Sequence, residues 1–290
     1  MQSPTFIVIT PARDEERYLP ATVASMLAQT SRPAAWVLVD DGSGDRTGAM
    51  IDAAASAHPW IRAVHRGDRG SRQAGGGVVA AFYDGLAAVP GQAWSYVVKC
   101  DADLSFPPDF FERCLREFEA DPRLGIGGGT CCAPSAGDPS PEFAGEPAFH
   151  VRGPMKIYRR ACFEAIGGLV RAPGWDTIDQ VTANMLGWRT RSFPDIPVIH
   201  HRATGGAYGG WNDAVKNGLA DYVTGYHPLF MACKCLRRSL GNPPSLGLAL
   251  WTGFMKGYLR RIPRAPNRDM IRYLRRQQWR ALTLQPSLWR

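Results

Sequence analysis

The sequence predicts an α/β fold with a Rossmann-like, mainly parallel sheet flanked by helices, and a helical extension at its end. Short apolar, β-branched runs recur at residues 6–10, 36–39, 61–65 and 96–98. Stretches with helical spacing of apolar residues separate them, so each repeat reads as a βαβ unit and the strands lie parallel. Hydrophobic residues make up 45% of the 290 residues, enough to fill a core between sheet and helices.

Residues 6–10 (F-I-V-I-T) read as a buried first strand, followed by the loop Pro11-Ala12-Arg13-Asp14-Glu15-Glu16. Leu19, Val23, Met26 and Leu27 mark a helix over 18–29, which Arg32-Pro33 ends. The second strand, 36–39, runs into Asp40-Asp41-Gly42-Ser43, and Asp45 or Thr47 caps the helix that follows to about Ala57. A third strand covers 61–65, a glycine-rich stretch 70–77, and a helix 78–89. Tyr96-Val97-Val98 then leads into Asp101-Ala102-Asp103, and Pro107-Pro108 opens a helix over 109–120. The glycines of 125–130 (G-I-G-G-G-T) indicate a tightly packed strand, and the Pro, Ser, Gly and acid content of 134–147 a loop over the site.

Ligands of parallel sheets sit beyond the strands' carboxyl ends. The loops at 11–16, 40–43 and 101–103 converge there, and all three carry acids. Asp101 and Asp103 are hard oxygen donors suited to a divalent cation that stays open to phosphate oxygens.

Of the 34 basic and 26 acidic residues, 13 basic and one acidic (Asp269) lie in 227–290, so a mildly acidic body carries a basic tail. The tail mixes arginines with Leu, Phe, Met and Trp, which fits an amphipathic segment on an anionic membrane surface. Nucleic acid is not an expected partner, because no zinc-finger spacing or RNA-recognition signature is present. The seven cysteines are irregularly spaced and read as reduced thiols. No signal peptide is expected from the opening residues, and the longest weakly charged run, 243–255, is too short to span a bilayer.

These residues resemble those of the family 2 glycosyltransferases, which have the GT-A fold. The family opens with a strand, P-x-x-N-E-E and a helix ending near S-x-x-x-Q-T. Here Pro11 to Glu16 and Ser25 to Thr30 match, with Asp14 for the usual Asn. V-D-D-G-S-x-D-x-T stands nearly complete from Val39 to Thr47, and the D-x-D is Asp101-Ala102-Asp103. The resemblance implies a nucleotide-diphosphate sugar donor, a UDP-sugar being favoured. It places Pro11, Ala12, Arg13 and the Glu15 carboxylate at the nucleoside and Asp41 at the base. Asp101 and Ala102 fall near the ribose, and Arg69 and Arg72 near the phosphates. Asp103, with Asp101, would ligate Mg2+ or Mn2+ bridging the diphosphate.

The resemblance also makes 153–159 a strand before the acceptor helix. The family's catalytic Asp precedes a G-[WY] turn by eleven residues. Counting back from Gly187-Trp188 gives Asp176 as the expected base, with Trp175 where Glu is usual. Asp179, one helical turn on, remains a rival. Family members often carry a His near the metal. Residues 197–201 (P-V-I-H-H) offer His200 or His201, alternation turns only one inward, and His201 is expected. Tyr208, Trp211, Tyr222 and Tyr226 are candidates for stacking on a sugar or for plain packing.

The expected protein is therefore a GT-A catalytic domain over 1–226 with a basic helical extension over 227–290. It would be an inverting, metal-dependent enzyme acting on a hydroxyl acceptor, sugar or lipid-linked, in surface polysaccharide or glycolipid synthesis. Its expected location is cytoplasmic and peripheral on the membrane. The alternatives are a nucleotidyltransferase, whose G-x-G-T-R-[LM] loop residues 11–16 lack, and an inactive nucleotide-sugar or membrane-binding module.

Overall fold

The computed structural model describes residues 5–68, 70, 75–135, 139–142, 146–202, 210–241 and 243–289. The first half runs β1 (Phe6–Ala12), α1 (Leu19–Leu27), β2 (Ala35–Asp40), α2 (Thr47–Ala57), β3 (Ile61–His65), α3 (Gly76–Ala87), β4 (Tyr96–Cys100), β5 (Leu104–Ser105) and α4 (Phe110–Ala120). The second runs β6 (Leu124–Ala133), β7 (Ser140–Pro141), β8 (Met155–Arg159), α5 (Arg160–Ala165), α6 (Trp175–Met185), β9 (Arg189–His200), α7 (Gly210–Thr224), α8 (Pro228–Ser239), α9 (Ser245–Leu259) and α10 (Arg268–Leu282).

The strands order as β3-β2-β1-β4-β8-β6-β9-β5, with β7 on β6. β2 and β4 flank β1 on opposite sides, and all three pair parallel. That reversal of strand order opens a crevice beyond the carboxyl ends of β1 and β4. Both faces of these strands are buried, so their residues are apolar without alternation. Phe6, Val8, Trp36 and Phe111 fill one side, and Ile7, Val37, Phe82 and Tyr158 the other.

Beyond β4 the sheet turns mixed. β8 runs antiparallel to both β4 and β6, while β9 runs parallel to β6. A Cβ at Gly128 would lie 2.4 Å from the Met155 carbonyl oxygen, and one at Gly129 2.4 Å from that of Ile196. The glycine run therefore serves close packing between strands. The last helices share a core with α6 and α7. Met231 of α8, Phe254 of α9 and Leu274 of α10 bury against Ile178 and Val181 of α6 and Tyr222 of α7. Among the described residues, no helix is long and apolar enough to cross a membrane.

Candidate active site

The loops after β1 and β2 are stitched to each other. The Glu15 N–H donates to Thr47 Oγ1 at 2.8 Å, the Glu16 N–H to Asp45 Oδ2 at 3.1 Å, and the Gly44 N–H to Asp14 Oδ1 at 2.9 Å. Asp14 has φ 55°, a left-handed conformation that Asn and Asp adopt more readily than other side chains. Asp is therefore a fitting replacement for Asn there. Asp45 Oδ1 accepts from the Thr47 N–H at 2.9 Å as α2 begins. Pro11 and Ala12 end β1 opposite Val39 and Asp40. Ion pairs order this side of the crevice. Arg13 donates to the Asp41 carbonyl oxygen at 2.8 Å and pairs with Asp68 at 2.8 Å. Asp41 pairs with Arg66, and Glu15 with Arg202 beyond β9.

At the end of β4, the buried Lys99 donates to the Asp101 carboxylate and, at 2.8 Å, to the Gly153 carbonyl oxygen. Ala102 is buried, and so is Asp103, at 6% exposure. Asp103 Oδ2 lies 3.4 Å from His200 Nε2 and 3.8 Å from Arg202 Nε. His200 Nδ1 lies 3.1 Å from Glu142 Oε1. Burial by itself lowers the pKa of the His200 imidazole, but its hydrogen bonds to Asp103 and Glu142 prevail and raise it to about 9. Burial pushes the Asp103 pKa up, and His200 with Arg202 brings it below the usual carboxylate value.

A divalent cation fits these donors. Asp103 Oδ1 is buried and has no hydrogen-bond partner among the described residues. Leaving such an oxygen bare is costly, and a hard cation would satisfy it. Mg2+ commonly takes only one or two protein carboxylates, with phosphates and water completing the sphere. Carboxylates suit Mn2+ equally. Among the described residues, no group of three or more His, Cys, Asp or Glu gathers to hold an ion unaided.

A cavity of about 950 Å³ adjoins Asp101 and His200 and reaches α6, α7 and α8. Asp176, on the first turn of α6, lines it. Its carboxylate has no hydrogen bond or ion pair among the described residues. Its carbonyl oxygen is held by Lys156 Nζ at 2.7 Å and by Gln180. Asp179 is engaged instead: Lys156 Nζ reaches its two oxygens at 2.9 and 2.7 Å, and the Tyr158 hydroxyl donates at 2.6 Å. Burial raises the Asp179 pKa and lowers that of Lys156, while their mutual attraction pulls each back.

One expected placement is corrected. His200, not His201, faces Asp103. Ile196, Val198 and His200 share the buried face of β9, so alternation turns His201 away. His201 Nε2 instead lies 2.9 Å from Ser105 Oγ, and its ring stacks on Tyr18 with centroids 6.3 Å apart. Arg69, Arg72 and Tyr208 lie outside the described residues. Lys99, Glu142, Lys156 and Arg202 were not anticipated. Lys99 and Lys156 face each other across β4 and β8, and a lysine inside an apolar strand (Y-V-V-K-C, M-K-I-Y) is a readable signal of a buried partner. Glu142, on a loop rich in Pro and Ser, carried no such signal.

The sheet, its crevice and the acids at β4 define a GT-A glycosyltransferase. The profile described as "Glycosyl transferase family 2" matches residues 7–167, more than half of the chain, and the protein belongs to that family. Polyprenol monophosphomannose synthase of Mycolicibacterium smegmatis is 34% identical over 123 residues, 42% of this chain and 43% of the synthase. The match thus spans less than half the length of that relative. Mannosyltransferase PcManGT from Pyrobaculum calidifontis, solved in complex with GDP-Man and Mn2+, superposes with a TM-score of 0.56 at 19% identity, covering 98% of this chain and 76% of that one. S. aureus TarS 1–349 in complex with UDP gives 0.54 at 14% identity, covering 97% and 92%. At these identities the two structures attest the fold.

Proposed function

We propose that the protein is an inverting, divalent-cation-dependent glycosyltransferase that moves a sugar from a nucleotide-diphosphate sugar to a hydroxyl acceptor, sugar or lipid-linked, in surface polysaccharide or glycolipid synthesis. The observation that carries this reading is the Asp176 carboxylate, without a partner among the described residues, in the cavity that also meets Asp101 and His200. In this reading Asp176 takes the acceptor's proton as its oxygen attacks the anomeric carbon. The new C–O bond forms opposite the bond to the departing diphosphate, so configuration inverts. Asp103 with Asp101 would hold the cation, which when bound neutralises the leaving diphosphate. Arg13, Glu15 and Asp41 order the nucleoside side. PcManGT carries GDP-Man and TarS carries UDP, which supports a nucleoside-diphosphate donor without choosing the base. Peripheral attachment to the cytoplasmic membrane face belongs to the same proposal, supported by exposed leucines on α9 beside basic residues.

The test combines binding with turnover. UDP and GDP are screened by thermal shift with and without Mn2+, and UDP-sugars and GDP-mannose are assayed for nucleotide release. One nucleotide should raise the melting temperature in a metal-dependent way, since a ligand of the native state stabilises it. Asp103→Asn should remove that dependence with the fold intact. Binding with no turnover of any donor would favour an inactive module, and no binding at all would end the proposal.

A further inference from the structure

The cavity beside Asp176 has more room, and more charge, than one reacting hydroxyl needs. One of its walls is a single face of α8, where Phe230, Lys234, Arg237 and Arg238 recur at helical spacing and all line it. Phe149 and Trp289 join Phe230 as a wall of rings. The Trp289 centroid lies 5.3 Å from that of Phe149 and 5.0 Å from that of Phe230. Such faces take the apolar side of a sugar ring.

The charges lining the cavity do not all cancel. Lys234 pairs with Asp221 at 2.7 Å, Arg152 with Glu146 at 2.9 Å, and Asp101 with Lys99. The guanidinium groups of Arg237 and Arg238 make neither an ion pair nor a hydrogen bond among the described residues. Arginines in a last helical turn ordinarily offset the carbonyl dipole. That role needs only a position near the helix end, and these two also line a cavity shared with the Asp176 carboxylate, which has no partner among the described residues. Guanidinium groups bind phosphate and carboxylate through paired, charge-assisted hydrogen bonds.

We infer, building on the glycosyltransferase reading, that this cavity takes an anionic acceptor. The reacting hydroxyl meets Asp176, the sugar ring lies against the aromatic wall, and a phosphate or carboxylate on the same molecule binds Arg237 and Arg238. A neutral acceptor would leave both guanidiniums facing only water. The anion comes either from a free sugar, as a glycosyl phosphate or uronic acid, or from the phosphate that links a sugar to a lipid.

The experiment is calorimetry on the full chain with Mn2+ and saturating UDP or GDP, so that the diphosphate site is filled. The probes are methyl glucoside, glucose 1-phosphate, methyl glucuronide and a short-chain polyprenyl phosphoglucose in detergent micelles. The anionic probes should bind at least about tenfold more tightly than methyl glucoside, as charge-assisted pairing implies. Arg237→Gln with Arg238→Gln should remove that preference, and Arg237→Lys with Arg238→Lys should keep part of it. A preference shared by soluble and micellar probes supports the anion chemistry itself, and one confined to micelles assigns it to a lipid-linked phosphate. Equal binding of neutral and charged probes, no binding by any anionic probe, or a preference undiminished in the Gln variant overturns the inference. Nucleotide affinity on the same samples reports separately on the donor site. Its absence, with the preference for methyl glucuronide intact, overturns the transferase reading alone.

Discussion

Asp176 and Asp179 lie on the same turn of α6 in opposite surroundings. The Asp176 carboxylate lines a cavity and has no partner among the described residues, while Asp179 is 3% exposed and locked to Lys156 and Tyr158. Asp176→Asn should lower kcat by roughly 10²-fold or more, the usual contribution of a positioned base, with nucleotide affinity and melting temperature nearly unchanged. Asp179→Asn should instead cost roughly 3 kcal/mol of stability in urea unfolding, because it leaves the Lys156 charge buried beside a neutral partner. A stable Asp179→Asn protein with the larger loss of kcat would move the base to Asp179. The family's spacing to Gly187 favoured Asp176 in the sequence and left Asp179 as a rival. Why Asp179 is engaged was not legible there, because its partners Lys156 and Tyr158 come from β8, distant along the chain.

β1, β2 and β4 were legible as elements because both their faces are buried and the apolar runs are continuous. β9 was legible only at its end. Its residues R-T-R-S-F-P-D-I-P mix charges with two prolines, which hides a strand that runs for 12 residues. Without its full length, the inward parity shared by Ile196, Val198 and His200 was not visible, and His201 was expected where the structure turns His200 toward Asp103. That parity has a measurable consequence. The folded pKa of His200, about 9, lies above its unfolded value. Its contribution is therefore fully present below the ordinary histidine pKa and is lost as pH rises through about 9. In EDTA, His200→Gln should destabilise the protein by about 3 kcal/mol near pH 6, and the difference should close by about pH 10. Equal losses at both pH values would show that the Asp103–His200–Glu142 contacts add no net charge stabilisation.

At the scale of the whole molecule, the sheet and its three converging loops followed from the sequence, but the orientation of the C-terminal helices did not. An amphipathic, arginine-rich pattern reads the same whether its apolar face meets a membrane or a protein core. Here the apolar faces of α8, α9 and α10 meet α6 and α7. Several arginines of α10 have local tasks: Arg272 pairs with Asp269 at 3.0 Å, Arg275 donates to the Gly225 carbonyl oxygen at 2.9 Å, and Arg276 lies over the Tyr273 ring. Deleting residues 227–290 would strip the core that supports Asp176, so it is no clean test of membrane binding. The face of α9 turned to solvent provides one. Leu248 and Leu259 are 60% and 81% exposed and lie eleven residues apart, about three helical turns, on one stripe. α9 contains no acid, and Lys256, Arg260 and Arg261 lie at its C-terminal end. Insertion of the leucines, with roughly 1 kcal/mol per nearby basic residue from anionic headgroups, would hold such a helix at a membrane surface. The full chain should sediment with anionic liposomes at low salt and be released at high salt, where exposed charges are screened. Leu248→Gln with Leu259→Gln should reduce sedimentation severalfold without lowering the melting temperature, because both side chains already face water. A parent chain that stays in the supernatant, or a double variant that sediments as the parent does, would exclude this face of α9 as the contact.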